Sequence, residues 1–432
     1  MGIFENGPEY ELRKKTDFAP PKVTLAEIHA AVPKHLYEKS TLKALKYVAR
    51  DVFFASLFYY LATYIDPLCK ALDNQYAGHH QAFEVGRWTL WSVYWFWQGV
   101  TLAGWWCLGH EAGHGTMSPH SWVNHLLGFT LHTSILVPYY SWRSTHHAHH
   151  KATGSIERDE NWVPRTRTDY ELPPEGVAHV MDYHDIFEET PIYTLIRIAA
   201  MQLFGWHAYL TYNALGSRMY PPGMRTNHFS PYSPLFKPQE RWNIIISDVG
   251  LLGMFATLYY YGKQVGLANF IKFYFIPYLL ANHWIVMLTF LHHSDPTIPH
   301  YRAKEWSFLR GAVATVDRPL LGWIGRFFLH NVSHDHVAHH FFSMIPFYNQ
   351  PEVTERIKAV LKDNYNYDST NTFYALYRSF SECCFIEDDG EIVFYKNKDG
   401  VAQRNLSSNA LGSDSGYSSS DNEQEKGDKK TV

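Results

Sequence analysis

The sequence predicts an all-α membrane protein: four transmembrane helices in two hairpins, interfacial helices between them, and a histidine-rich cap on one side. Three observations carry that expectation. Apolar stretches fit to cross a bilayer occur at about 50–66, 88–109, 243–262 and 267–291. The strongest, Trp88 to Gly109, carries no charged residue, and a helix of that length covers roughly 30 Å, the thickness of the hydrocarbon core. Aromatic residues make up 16% of the chain, with 14 Trp and 30 Tyr, the two side chains that membrane interfaces favour. Finally, three histidine clusters punctuate the apolar stretches: His110-Glu-Ala-Gly-His114, His146-His-Ala-His149-His150 and His336-Val-Ala-His339-His340.

Residues 1–48 form a polar segment in which Thr24 to Val32 read as a short amphipathic helix ending before Pro33. The membrane domain spans 49–400. Its first hairpin pairs 50–66 with 88–109, which runs directly into His110. Residues 122–140 are apolar but contain Asn124, His125 and His132, and 192–216 contain Arg197, Gln202 and His207; both read as interfacial rather than spanning. The second hairpin turns at Gly262-Lys-Gln-Val-Gly266, and residues 318–330 read as a further interfacial helix before the third cluster. Two hairpins return the chain to its starting side each time, so all the clusters face one compartment. Nine Lys or Arg in the first 50 residues, against Lys70 and Arg87 in loop 67–87, place that compartment in the cytosol. The Ser-rich tail, 401–432, is expected to be disordered.

Bulk properties exclude several classes. A net charge of −4 without a long basic run argues against nucleic acid as a partner. Cys69, Cys107, Cys383 and Cys384 form neither a Cys-x-x-Cys pair nor a disulfide framework. The N-terminus lacks the apolar core of a signal peptide, so membrane targeting is expected from internal segments.

The clusters carry the chemistry. Spacings of three and four residues put side chains on one helical face, and imidazole is the commonest nitrogen ligand of transition metals. Eight clustered imidazoles exceed the needs of one tetrahedral zinc ion and suit two open-sided ions such as iron. His293, at the end of the fourth span, is a ninth candidate ligand. His292, His147 and Asp335 are candidates for orienting the ligands from behind. Other histidines, His120, His179 and His330 among them, read singly as surface or core residues. His110-Glu-x-x-His114 also matches the zinc-peptidase signature with Glu111 as base, but that reading leaves the remaining clusters unexplained. A metal-storage protein is a third reading, and the rigid helical spacing argues against it. Two irons with nitrogen ligands suit an oxidant strong enough for an unactivated C–H bond, because thiolate ligands would themselves oxidise.

These residues resemble the membrane-bound fatty acid desaturase family, which carries three such histidine boxes in this order and separation. The resemblance extends towards fungal delta-12 (oleate) desaturases through Val137 to Thr153, Arg158 to Pro164, His336 to Pro346 and Ala31 to Ser40, and covers roughly residues 25–375. The chain departs from many relatives at Ala112, where they carry Cys; that position is not a ligand. The resemblance implies a di-iron enzyme that uses O2 to remove two hydrogens from carbons 12 and 13 of an oleoyl chain. It further implies electrons from a separate cytochrome b5 with its NADH-dependent reductase, a fatty acyl lipid substrate, and residence in the endoplasmic reticulum membrane. No His-Pro-Gly-Gly haem motif occurs in the chain. Hydroxylases, acetylenases and delta-15 desaturases share the ligands and are the alternatives.

Overall fold

A computed structural model describes residues 2–76, 79–221, 223–408 and 410. The N-terminal segment forms α1 (Pro8–Lys15) and α2 (Leu25–Ala31). Thr24 caps α2 through a reciprocal box with Glu27, so this helix starts and stops where the sequence places it. Ser40 caps α3 (Thr41–Ala62), and after a turn the chain continues as α4 (Ile65–Gln75). The next helix, α5 (His80–Gly113), has 34 residues and is about 51 Å long at 1.5 Å per residue. Then come α6 (Ser121–Ser134), α7 (Tyr139–Ala152), α8 (Val180–Phe187) and α9 (Pro191–Tyr212).

The second hairpin is α10 (Arg241–Val265), a turn at Gly266, α11 (Leu267–Phe270), a π-helical turn at Ile271–Phe275, and α12 (Ile276–His293). Gly266 sits at φ +83, where a side chain would be strained. Five shorter helices complete the chain: α13 (Phe308–Val313), α14 (Trp323–Phe328), α15 (His336–Phe341), α16 (Gln350–Leu361) and α17 (Thr372–Glu382). Among the described residues, one antiparallel pair joins β1 (His300–Tyr301) to β2 (Ile392–Val393).

Among the described residues, three helical stretches are long and apolar enough to cross a membrane: Thr41–Gln75, Pro238–Val265 and Leu267–His293. The remaining expected span, 88–109, lies inside α5, which has the length but not the hydropathy, because six tryptophans and Gln98 lower the mean. Helix α5 is instead the centre of the bundle, with α3, α4, α6 and α12 packed around it. Gly99 permits the approach to α12; a Cβ there would stand 2.7 Å from the Cβ of Leu280. Both α5 and α12 end at the histidine clusters, so the C-termini of two central helices deliver His110, His114 and His293 to one place.

At the opposite end the hairpins are joined by polar groups. Asp66 on α4 accepts from Arg87 Nε at 2.8 Å and Trp91 Nε1 at 2.9 Å on α5, and pairs with Lys272 in the π turn. The carbonyls of that turn are taken by α5 as well: Tyr94 donates to Phe273 at 2.7 Å and Trp95 to Lys272 at 2.9 Å. A π turn leaves carbonyls out of the regular ladder, and a neighbouring helix must satisfy them.

Three expectations need correction. Residues 318–330 are not an amphipathic interfacial helix. Only Trp323–Phe328 is helical, and Arg318 is fully buried, its guanidinium donating to Leu291 O (2.9 Å) and Asp295 Oδ2 (2.7 Å) and pairing with Asp368. Arg378 and Arg13 join the same cluster. The polar segment 1–48 is not separate from the membrane domain. Ile28, Val32 and Leu36 pack into one core with Val337, Ala338, Val353 and Ile357. The boundary at 401 falls too early, because Phe18 N donates to Asn405 O and Ser407 N to Phe18 O, both at 2.8 Å, which fastens that stretch to the N-terminal segment. The remainder of the expected tail, 409 and 411–432, lies outside the described residues.

Removing one partner from a buried charge cluster leaves the others uncompensated, at a cost of about 3–5 kcal/mol. Arg318→Met is therefore expected to lower the melting midpoint of the detergent-solubilised protein markedly. An unchanged midpoint would show that the cluster does not hold the cap.

Candidate metal centre

All nine sequence-predicted histidines are buried and converge in one region. They fall into two groups. His110, His114, His146, His150 and His339 each present a ring nitrogen within 4.8 Å of the others. His149, His293 and His340 do the same nearby, and His336 joins them, its Nε2 being 3.1 Å from that of both His293 and His340. The spacing on α7 explains the division. His146 and His150 are four residues apart and face the first group, while His149 is rotated towards the second.

The nitrogen positions are those of a ligand set. His146 Nε2 lies 2.9 Å from His110 Nε2 and 3.0 Å from both His114 Nε2 and His150 Nε2. A neutral imidazole nitrogen carries either one proton or one lone pair, so it cannot bond three such neighbours. Metal–nitrogen bonds of ~2.1 Å, by contrast, put adjacent ligand atoms about 3.0 Å apart. His339 Nε2 is buried with no hydrogen-bond partner at all. Burial, followed by the charge of neighbouring imidazoles, pushes His339 down to about 3 and holds His146, His150, His336 and His340 well below the usual range. The rings are then neutral at pH 7, with lone pairs free for a metal. The donor set fits two nitrogen-ligated ions.

Aromatic rings fix the imidazole planes. Trp142 stacks on His146 at 4.4 Å and 20°, Trp106 on His110 at 5.5 Å and 14°, and Trp162 on His293 at 6.1 Å and 11°. Those contacts were not foreseen in the sequence, nor was Asp159, which accepts from His149 Nδ1 at 2.7 Å. Its signal was the acidic pair ten residues beyond His149. His292 and His147 do stand behind the groups: His292 donates from Nδ1 to the Val316 carbonyl and stacks on His336 at 4.3 Å, and His147 donates to Gly113 O at 3.0 Å beside His114. Asp335 pairs with Arg326 instead, at 3.1 Å. Glu111 sits on the Nδ1 side of His110 (3.4 Å) and His339 (3.8 Å) and accepts from Thr116 at 2.7 Å. It is not among the residues that line the cavity described next, which argues against a peptidase-type base.

A cavity of about 350 Å³ opens against both groups, touching His110, His146, His149, His293 and His336. Its walls come from α9 (Met201, Phe204, Gly205, Ala208) and α12 (Val286, Thr289, Phe290), and its polar exceptions include Asn161 and Tyr209. Phe204 and Tyr212 line it and are also exposed at the surface of α9.

The fatty acid desaturase family model matches residues 88–371, which hold all nine histidines and the cavity walls. The chain belongs to the fatty acid desaturase family. It is an oxidoreductase of lipid metabolism. A second model, described as a domain of unknown function, matches residues 5–58. Among curated relatives, a Delta(12) fatty acid desaturase of Mortierella isabellina is 42% identical over 381 residues, covering 87% of this chain and 91% of the relative. An oleate hydroxylase of Claviceps purpurea is 38% identical over 414 residues, covering 90% and 84%. A protein of Brassica juncea, named omega-6 fatty acid desaturase, endoplasmic reticulum, is 35% identical over 395 residues, covering 90% and 96%.

His150→Ala is expected to abolish turnover and to lower the metal content of the purified protein while leaving its membrane insertion intact. His179→Ala, at the exposed N-cap of α8, should keep both metal and activity. Metal analysis of the two variants checks this; metal lost on changing His179 would show that the wrong histidines were chosen.

Proposed function

We propose that this chain is a delta-12 acyl desaturase that converts an oleoyl chain to linoleoyl at carbons 12 and 13, with two iron ions and O2. The observation that carries the reading is the cavity: a largely apolar slot, walled by α9 and α12, that ends against both histidine groups. His110, His114, His146, His150 and His339 would hold one ion; His149, His293, His336 and His340 the other. When bound, the ions would supply oxygen activation strong enough to break an unactivated C–H bond.

The chain's own residues do the rest. Met201, Phe204, Val286 and Phe290 take up methylenes, each worth about 0.8 kcal/mol when removed from water. Trp106, Trp142 and Trp162 line the cavity beside the imidazole rings and keep bulk water from the reacting carbons. Burial keeps His146, His150, His336, His339 and His340 unprotonated, as ligands must be.

The same reading includes four membrane spans, with α5 as the one that hydropathy alone does not mark, and a cytosolic N-terminus and cap in the endoplasmic reticulum membrane. Sidedness rests on the excess of Lys and Arg before residue 50, and the compartment on the printed name of the Brassica relative. Cytochrome b5, reduced by its NADH-dependent reductase, is the electron donor. The hydroxylase relative shares the ligand pattern, so the product decides between the two reactions.

The deciding experiment expresses the chain in a yeast strain that makes oleate but no linoleate. New linoleate supports the reading; a hydroxylated acyl chain would replace it with the hydroxylase. A second prediction concerns the cavity. A Cβ on Gly205 meets Met201 at 3.5 Å and Val286 at 3.7 Å, so Ala fits, whereas Gly205→Leu fills the slot. Gly205→Leu should cut linoleate formation at least about tenfold, equivalent to about 1.4 kcal/mol, while retaining metal. Unchanged turnover would show that the acyl chain binds elsewhere.

A further inference from the structure

The nine histidines differ in what stands behind them. His150 and His336 have buried Nδ1 atoms with no hydrogen-bond partner, and His340 Nδ1 faces the hydroxyl of Thr153 at 3.2 Å. Glu111 approaches His110 and His339 no closer than 3.4 Å. His149 alone among them, within the described residues, has a carboxylate at full hydrogen-bond distance: Nδ1 to Asp159 Oδ1 is 2.7 Å, with both side chains buried. A carboxylate only accepts, so the proton must sit on Nδ1 and the lone pair on Nε2, the nitrogen left to the second group.

Asp159 is itself held in place. Its Oδ1 accepts from the backbone N–H of Asn161 at 2.9 Å and of Trp162 at 3.4 Å, and its Oδ2 from Gly154 N at 3.1 Å. The loop that follows α7 is thus wound around this carboxylate. The same loop carries Asn161 and Trp162 into the cavity wall, with Trp162 parallel to His293. Asp159 therefore touches a histidine of the second group and the wall beside another, and bonds none of the first group.

We propose that Asp159 is a positioning residue for one of the two ions: through His149 it fixes the tautomer and aim of the second histidine group, so that the two metal sites differ in strength. This rests on the reading of the two groups as metal sites. A carboxylate behind a ligating imidazole raises the basicity of the ligand, and removing it typically lowers metal affinity about 10–100-fold. The effect falls on one ion because α7 turns His149 away from His146 and His150.

The test uses the full-length protein, purified in detergent, loaded with ⁵⁷Fe and titrated with a chelator while iron per chain and the Mössbauer spectrum are followed. Wild type is expected to hold two ions. Asp159→Asn, which keeps the shape and loses the charge, should release one ion at about 10–100-fold lower chelator and keep the other at the wild-type level. Its spectrum should lose one component, and Asp159→Glu should restore part of the loss. Glu111→Gln should leave the His149 site unaltered. Two ions held as firmly as in wild type would overturn the proposal. So would joint loss of both ions, or a chain that no longer folds, since either would assign Asp159 to supporting the loop. Wild type that binds no metal would overturn the underlying reading of the histidines, a distinct result.

Discussion

The rest of this structure depends on one costly arrangement: nine imidazoles buried together, seven of them with a ring nitrogen about 3 Å from a neighbour's. Unpaired buried polar groups cost free energy, and protonated ones would repel each other at this distance. The arrangement is stable only if the rings stay neutral and something binds their lone pairs. The scaffold must also hold four separate chain segments, α5, α7, α12 and α15, in register, because no single segment supplies a complete group. Box two feeds both groups through α7, so a small rotation of that helix would spoil both. Packing against the neighbouring helices opposes it: Trp142 of α7 meets Trp106 of α5 at 5.4 Å and His132 of α6 at 5.0 Å.

The buried charges beside the site serve the same end. Asp295 lies two residues beyond His293 and is held by Arg318, while Arg13 from α1 and Arg378 from α17 approach from either side. The cluster links the end of α12 to both terminal regions of the chain. Such clusters contribute little net stability compared with apolar packing, yet they are strongly destabilised by losing one member. That property suits a register device: α12 cannot slide without separating charges that have no water to receive them. The Asp66–Arg87–Lys272 junction fixes the other end of the same helices.

The sequence made the site legible and the surroundings less so. All nine candidate histidines converge because their spacing is a local, helical property that survives without knowledge of packing. Helix α2 was legible for the same reason, through Thr24 and Glu27. Residues 318–330 were misread because Arg318 beside apolar residues looks like a snorkelling interfacial pattern; its partners, Asp295 and Asp368, are distant in sequence. The boundary at 401 failed similarly: polar composition suggested a loose tail, but backbone pairing with Phe18 needs no apolar side chains. The cavity was invisible, since its walls come from α9 and α12, about 80 residues apart, and each wall reads alone as an ordinary apolar helix face.

The cavity also poses the sharper energetic question. Burial of one methylene contributes about 0.8 kcal/mol, roughly a fourfold preference. Sliding an acyl chain by one carbon exchanges a buried methylene for another, so burial alone hardly distinguishes one register from the next. Choice of a carbon pair must therefore come from a steric stop or from a bend the walls enforce. The close side chains here are rigid: Trp106, Trp142 and Trp162 are pinned by the imidazoles they stack against, and Phe290 packs on Trp162 at 5.9 Å. On the proposed reading, the rings that orient the histidines are the same rings that would limit where the chain can lie. One set of contacts would then set both regiochemistry and ligand geometry, and a change that shifted the reacting carbon through these tryptophans would also disturb the histidines.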